Sequence, residues 1–388
     1  MPSSPLTGIT VLDLASVGPA ARTSRWLADF GARVVKVGPP PKQSGVQILP
    51  PFYAYGGHRG MERVLLDLKA DAGRAAFLAL ATEADVVIES FRPGVVDRLG
   101  IGFDDVRAVN PSIVYCSTSG FGQTGPKSQW AGHDINYLAA GGFLHCSGRT
   151  AADGPALPGA TVADSAGGGM HAVMAVLAAL VARATSGEAA YLDVSVADGV
   201  VALMSLYIDE YLATGTVPGP GHNILTGRYA CYDLYACSDD RWVAVGAIEP
   251  HFYANLCKAL GCERWLEHQL DDDVQHLIRD DFMAAFATRT RDEWVDLLGP
   301  ANTCVSAVAT VPELVDDEHF RARNVIVTAQ REGGEPFEQV GFVLAGQDRS
   351  QPAPVVRDAT VTDTDAVLAE VGYDAETIAA LRAEGAVA

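Results

Sequence analysis

Two periodicities alternate along the first half of the chain. Ile9–Ala15 is a short apolar run with β-branched residues, which predicts a strand. Pro19–Phe30 carries helical spacing, and Arg33–Val37 is a second apolar strand. A helix follows at Asp71–Thr82, then a strand at Asp85–Glu89, a helix at Val95–Leu99 and a strand at Ser112–Thr118. Strands separated by helical segments predict an α/β fold, with βαβ units around a mostly parallel sheet. Next come an apolar helix over Gly169–Ala184, a strand at Tyr191–Val196, and a long helix from Asp198 to Ala213.

The pattern then changes. Thr214–Gly227 is rich in Gly and Pro and reads as a linker. Beyond it, Cys231–Cys237 and Trp242–Ala247 flank Ser238-Asp239-Asp240, a predicted hairpin turn. Short helices at Pro250–Leu260, Asp280–Thr288 and Arg291–Leu298 complete a smaller α+β domain over 228–329. The tail closes with a helical pair, Asp363–Val371 and Asp374–Glu384. At 388 residues the chain exceeds what one core keeps absorbing, so two domains are expected: residues 1–213 with 330–388, and 228–329.

Charge narrows the functional classes. Acidic side chains outnumber basic ones by 48 to 28, a formal charge of −20. Such a surface repels nucleic acid and anionic membrane, while a few converging Arg and Lys can still hold a polyanionic small ligand. The seven cysteines are scattered, with no Cys-x-x-Cys pair and no His at a zinc-finger spacing, which predicts reduced thiols, no metal site and a cytoplasmic protein. The first residues lack a signal-peptide pattern. The longest apolar run, Ala172 to Ala182, is shorter than a membrane span and predicts a buried helix.

Four segments carry candidate chemistry. Gly120-Phe121-Gly122-Gln123-Thr124-Gly125 matches G-x-G-x-x-G after a strand, but Pro126 and Lys127 follow where a dinucleotide fingerprint opens a helix. A backbone-lined ligand loop is the better reading. In Gly132-His133-Asp134-Ile135-Asn136-Tyr137, Asp134 suits an N-cap, and a histidine such as His133, taken by itself, is more often structural than catalytic. In Asp164-Ser165-Ala166-Gly167-Gly168-Gly169, Asp164 either caps the following helix or acts chemically. Gly167, Gly168 and Gly169 imply a close approach to the backbone, with amides able to stabilise an oxyanion. Glu249, before Pro250, reads as a surface acid at a helix N-terminus or as a site residue.

Together these segments resemble the class III CoA-transferase (CaiB/BaiF) superfamily, and within it the α-methylacyl-CoA racemases. The likeness runs from Pro5–Ala15 through Leu66-Asp67-Leu68-Lys69, Glu89–Gly94 and Gly120–Pro126 to Val367–Tyr373. The racemase branch is read from Gly132–Tyr137 and Gly246–Pro250. The resemblance implies a large Rossmann-like domain built from both chain ends, a smaller domain between, and an interlocked homodimer. In that homodimer the active site lies between one subunit's large domain and the other's small domain. It implies that His133 and Asp164 are the acid/base pair and that Glu249 orients His133. CoA would lie along the large domain at Val17, Leu68, Arg92, Gly122 and Gln123, with Lys36 and Arg63 as further phosphate candidates. Arg92 is the main one, because a guanidinium forks onto phosphate oxygens.

This set suits inversion of the carbon next to a thioester, which needs one base to take a proton and an acid on the other face to return one. No metal or redox cofactor is called for, CoA being part of the substrate. Two rivals use the same residues. In a CoA-transferase, Asp164 would attack the thioester and carry CoA as an aspartyl thioester. A non-catalytic acyl-CoA-binding protein would leave His133, Asp164 and Glu249 idle.

Overall fold

The computed structural model describes residues 4–15, 18–41, 60–148, 154–350, 355–357 and 361–388. Six strands form one sheet: β1 (Thr10–Asp13), β2 (Arg33–Gly38), β3 (Glu62–Leu65), β4 (Val86–Glu89), β5 (Val114–Ser119) and β6 (Ala190–Ser195). Every neighbouring pair is parallel, in the order β3-β2-β1-β4-β5-β6. This is the doubly wound α/β arrangement that the alternating pattern predicts. The chain runs outward from β1 to β3, then returns to start again at β4. The C-terminal ends of β1 and β4 therefore flank a switch point, where open α/β sheets bind ligands.

Both faces of the sheet are covered, which is why its strands are nearly continuous apolar runs. Successive side chains point to opposite faces. Leu12, Val35, Val87 and Tyr115 pack with Phe77 and Leu80 on one side, and Val11, Val34, Val86 and Val114 pack with Leu27 and Val176 on the other. The C-terminal helices Thr364–Glu370 and Ala375–Ala383 add Leu368 and Ile378 to the first face. The chain end then returns to the sheet, where Ala386 accepts the Asp67 amide at 2.8 Å.

The chain divides into two compact units, 1–141 with 158–204 and 317–388, and 142–157 with 205–316. The second unit contains the antiparallel sheet β7 (Tyr232–Ala236), β8 (Trp242–Gly246) and β9 (Val305–Ala307). Its helices Pro250–Leu260, Gln275–Phe286 and Arg291–Leu298 cover a core containing Tyr235, Tyr253, Phe282 and Trp294. Asp240 takes a left-handed φ of 58° in the β7–β8 turn. A separate hairpin, β10 (Ile326–Gln330) with β11 (Pro336–Val340), belongs to the first unit.

These bounds differ from the sequence-based ones. The helix expected over 198–213 is two helices, Val196–Leu203 and Ser205–Thr214, and the units part at Met204 between them. Residues 214–227 lie inside the second unit, where Asn223 caps the short 3₁₀ turn Ile224–Thr226, so composition marked a folded loop rather than a linker. The run Ala172–Ala182 is the centre of a continuous helix over Ala163–Ser186, 24 residues long. By length and composition alone that helix could cross a membrane, and 39% of its most apolar window is buried. Its inner residues Ala172, Val173, Val176 and Ala179 belong to the second sheet-face core.

Phe77 is fully buried in the first core. Phe77→Ala is expected to destabilise the fold by about 3–5 kcal/mol. Urea unfolding should show a lowered midpoint with an unchanged slope.

Candidate active site

Asp164 lies in the first turn of a π-helical segment, Ala163–Met170, that continues directly into the helix His171–Ser186. Its side chain caps nothing: the N-cap position is Val162, already in helical conformation. The three glycines after it are buried, and neighbouring helices explain them. A Cβ on Gly168 would sit 2.6 Å from Pro19 Cβ. One on Gly169 would sit 2.8 Å from the Trp26 ring, and one on Gly167 would meet the Val196 carbonyl at 3.0 Å. What approaches the Cα side of this backbone is the helices Gly18–Asp29 and Val196–Leu203. Packing thus gives the three glycines a role of their own beside the oxyanion contact expected of their amides.

The second candidate is brought to the first by a backbone contact. His133 is the N-cap of the helix Asp134–Ala140, one residue earlier than expected, and its amide donates to Asn136 Oδ1 at 3.0 Å. Asp134 is then free of capping its own helix, and its Oδ1 accepts the Asp164 amide at 2.8 Å. Tyr137 locks the other side. Its hydroxyl donates to the Gly132 carbonyl at 2.6 Å, and its ring fills the space that a side chain at Gly120 or Gly132 would need. His133 is exposed, whereas the Asp164 side chain is 19% exposed.

Electrostatics act most strongly on Asp164. Burial pushes its carboxyl up; Arg22 opposes this, Asp134 reinforces it, and His133 opposes it. Arg22 Nη1 lies 3.5 Å from Asp164 Oδ2. His133 and Asp164 are thus close enough for the charge of one to bear on the other.

Glu249 belongs to the second unit. It is the exposed N-cap of Pro250–Leu260, in extended conformation and without a side-chain cap bond, as its Pro-initiated sequence suggests. Gln269 Nε2 fixes the preceding turn by donating to the carbonyls of Ala247 and Ile248 at 3.2 and 2.7 Å. A cavity of about 1140 Å³ in this unit is lined by Cys146, Leu225, Tyr232, Gly246, Arg279 and Cys304, among others. Burial, then the Glu249 charge, push the Cys304 thiol up, which sets Glu249 beside that wall.

Of the positions matched to CoA, Leu68, Arg92, Gly122 and Gln123 follow the C-terminal ends of β3, β4 and β5, whereas Lys36 and Arg63 lie within β2 and β3. Lys36 is buried and gives its ammonium to Asp13 at 2.6 Å, so its charge is spent inside the protein. Asp13 also accepts the Ala15 amide at 2.7 Å, which ties down the start of the loop after β1. Val17, in that loop, lies outside the described residues. Arg92 is exposed just beyond β4, Leu68 packs against the core, and Arg63 is exposed on β3 with its amide donating to Asp363. Gly122 has a left-handed φ of 81°. The Gln123 amide donates to the Asp193 carboxylate at 3.0 Å, and among the described residues its buried Nε2 meets no acceptor. No helix opens after Gly125, as expected for a loop that is not a dinucleotide fingerprint. Among the described residues no cluster of His, Cys, Asp and Glu forms a metal-binding set.

A family model described as CoA-transferase family III matches residues 6–357. Alpha-methylacyl-CoA racemase of Homo sapiens is 33% identical over 392 residues, covering 98% of this chain and 96% of that protein. Acetyl-CoA:oxalate CoA-transferase of Acetobacter aceti is 30% identical over 376 residues, covering 91% and 92%. Among solved structures, a CAIB/BAIF family protein from Brucella suis superposes with a TM-score of 0.80 at 25% identity, covering 95% of this chain and all of that one.

Glu89, at the end of β4, was missed in the sequence because it sits inside an apolar strand pattern. It is almost fully buried and accepts the Phe91 amide at 2.7 Å, shaping the turn that carries Arg92. Burial pushes its carboxyl up to about 7; bonds from Ser117 and Phe91 pull the other way. The folded chain therefore holds this proton more tightly than the unfolded one. Its contribution to stability is full below about pH 4.5 and is lost as pH rises through about 7. Glu89→Gln is expected to remove most of that loss, on the order of 3 kcal/mol. Urea unfolding of both proteins at mildly acid and mildly alkaline pH checks it.

Proposed function

This chain belongs to CoA-transferase family III, and on that premise we propose that it inverts the α-carbon of 2-methylacyl-CoA thioesters. One of His133 and Asp164 takes the α-proton, the electron pair passes into the thioester as an enolate, and the other residue returns a proton to the opposite face. Substrate either way round is served, because each group is a base in one direction and an acid in the other. The observation that carries the reading is the bond from the Asp164 amide to Asp134. It ties the residue after His133 to the backbone of Asp164, which supports a paired role for the two. A transferase needs the carboxylate but has little use for the imidazole beside it. Similarity to the racemase over nearly the whole chain supports the same choice.

In this reading Glu249 orients the His133 imidazole. The CoA portion runs along the C-terminal side of the sheet, with Arg92 on a phosphate and Gly122 and Gln123 in the loop beside it. The working form is a cytoplasmic homodimer that needs no metal or redox cofactor. A second reading, CoA transfer through an aspartyl thioester at Asp164, draws support from similarity to the oxalate CoA-transferase.

Incubation with a 2-methylacyl-CoA in deuterated water, without an acceptor acid, is expected to place deuterium at the α-carbon. His133→Ala and Asp164→Ala are each expected to slow exchange by about 10²–10⁴-fold. Absence of exchange, together with CoA passing to an added carboxylic acid and hydroxylamine trapping Asp164, would establish the transferase instead.

A further inference from the structure

Arg22 is absent from the sequence-based set of site residues, yet it is the one cation placed directly on Asp164 among the described ion pairs. It projects from the helix Gly18–Asp29, whose close packing onto Gly168 and Gly169 brings it there. A Cβ on Gly169 would already stand 3.3 Å from the Arg22 Cβ, so the two backbones hold the guanidinium at short range. Its Nη2 donates to Thr161 Oγ1 at 2.9 Å, and its Nη1 stands 3.5 Å from Asp164 Oδ2. Thr161 lies one turn before Ser165, whose amide donates to the Thr161 carbonyl at 2.9 Å. The guanidinium is thus held both by the strand-following helix that bears it and by the entry to the π-helical turn.

We propose that Arg22 is a positioning residue, pairing with Asp164 to fix where, and in which charge state, that carboxylate meets the substrate. This rests on the assignment of Asp164 as a proton-transfer group. The surroundings act on the charge of Asp164 from several sides. From the helix Asp134–Ala140, Asp134 adds a second negative charge and Tyr137 an apolar ring, while His133 at its N-cap offsets that charge. β6 and the helix Val196–Leu203 also pack on the π-helical turn. The carboxylate of Asp193 on β6 is engaged by the Gln123 amide, and Asp198 is exposed. Burial and Asp134 both favour the neutral acid, which cannot act as a base; Arg22 is the strongest influence the other way. At 3.5 Å and with 27% of its side chain exposed, it is a screened pair rather than a buried bidentate fork. That leaves Asp164 free to pick up and release a proton.

The test uses the full chain labelled with ¹³C at aspartate carboxyls, with Asp164→Asn identifying the Asp164 resonance. Replacing the cation by an isosteric apolar chain, Arg22→Met, is expected to raise the Asp164 titration midpoint by about one pH unit. The acid limb of kcat/KM for α-proton exchange should move up by the same amount, while Arg22→Lys keeps both near the native positions. Identical midpoints in the native protein and Arg22→Met would overturn the proposal. So would equal losses of activity in Arg22→Met and Arg22→Lys without any movement of the midpoint, since that would mark a packing role. If Arg22→Met does not fold, Thr161→Val, which loosens the guanidinium, should move the midpoint in the same direction by less, and no movement overturns the proposal. Should the native protein show no α-proton exchange, the racemase reading falls, and the carboxyl titration still decides the role of Arg22.

Discussion

A Cβ at Gly199 would be driven into the carbonyl of Gly167, and this contact between two helix backbones is the constraint from which the site follows. Helices ordinarily pack with their axes about 8–10 Å apart, separated by side chains. Here glycines at 167, 168, 169 and 199 remove those side chains on one or both partners. The helices Gly18–Asp29 and Val196–Leu203 therefore close onto the π-helical turn that carries Asp164. A π-helical turn inside a longer helix is itself a feature met most often at functional sites. The glycine run earns its conformational cost through packing, and the placement of Asp164 comes with it.

The charges around that turn are few and opposed. In a chain of net charge −20, burial and a neighbouring carboxylate both push Asp164 toward its neutral form. Arg22 opposes them without sealing Asp164 away. At the switch point of the sheet the balance is different: Asp13 and Lys36 neutralise each other in the interior, and at Glu89 burial favours the neutral acid against two hydrogen bonds that favour the charged one. Those buried groups shape the loops after β1 and β4, and Arg92 stays exposed beyond β4.

Much of this was legible before any coordinates. Strands buried on both faces must be apolar throughout, so β1, β2, β4 and β5 stood out, and the helix Pro250–Leu260 was marked by the proline that opens it. β3 escaped notice because it begins with Glu62 and Arg63, and Glu62 is taken up by Arg33 from the neighbouring strand. The break at Met204 escaped because apolar spacing continues across it. The motif residues His133, Asp164 and Glu249 were recognisable from their local sequence. Arg22 was not, since nothing along the chain distinguishes it from Arg25 one turn segment later, which pairs with Asp29 instead.

Sequence by itself determined the alternation of strands and helices, the family, and the residue types able to move a proton, because each depends on neighbours along the chain. Tertiary structure decided which of those groups share an environment. Asp134 and Asp164 are thirty positions apart, and Arg22 lies far from both. Their pairing depends on how closely three helices approach, a distance set by side chains that are missing at Gly167, Gly168, Gly169 and Gly199. Electrostatic effects fall off over a few ångströms, so the charge state of Asp164 became readable only once that approach was known.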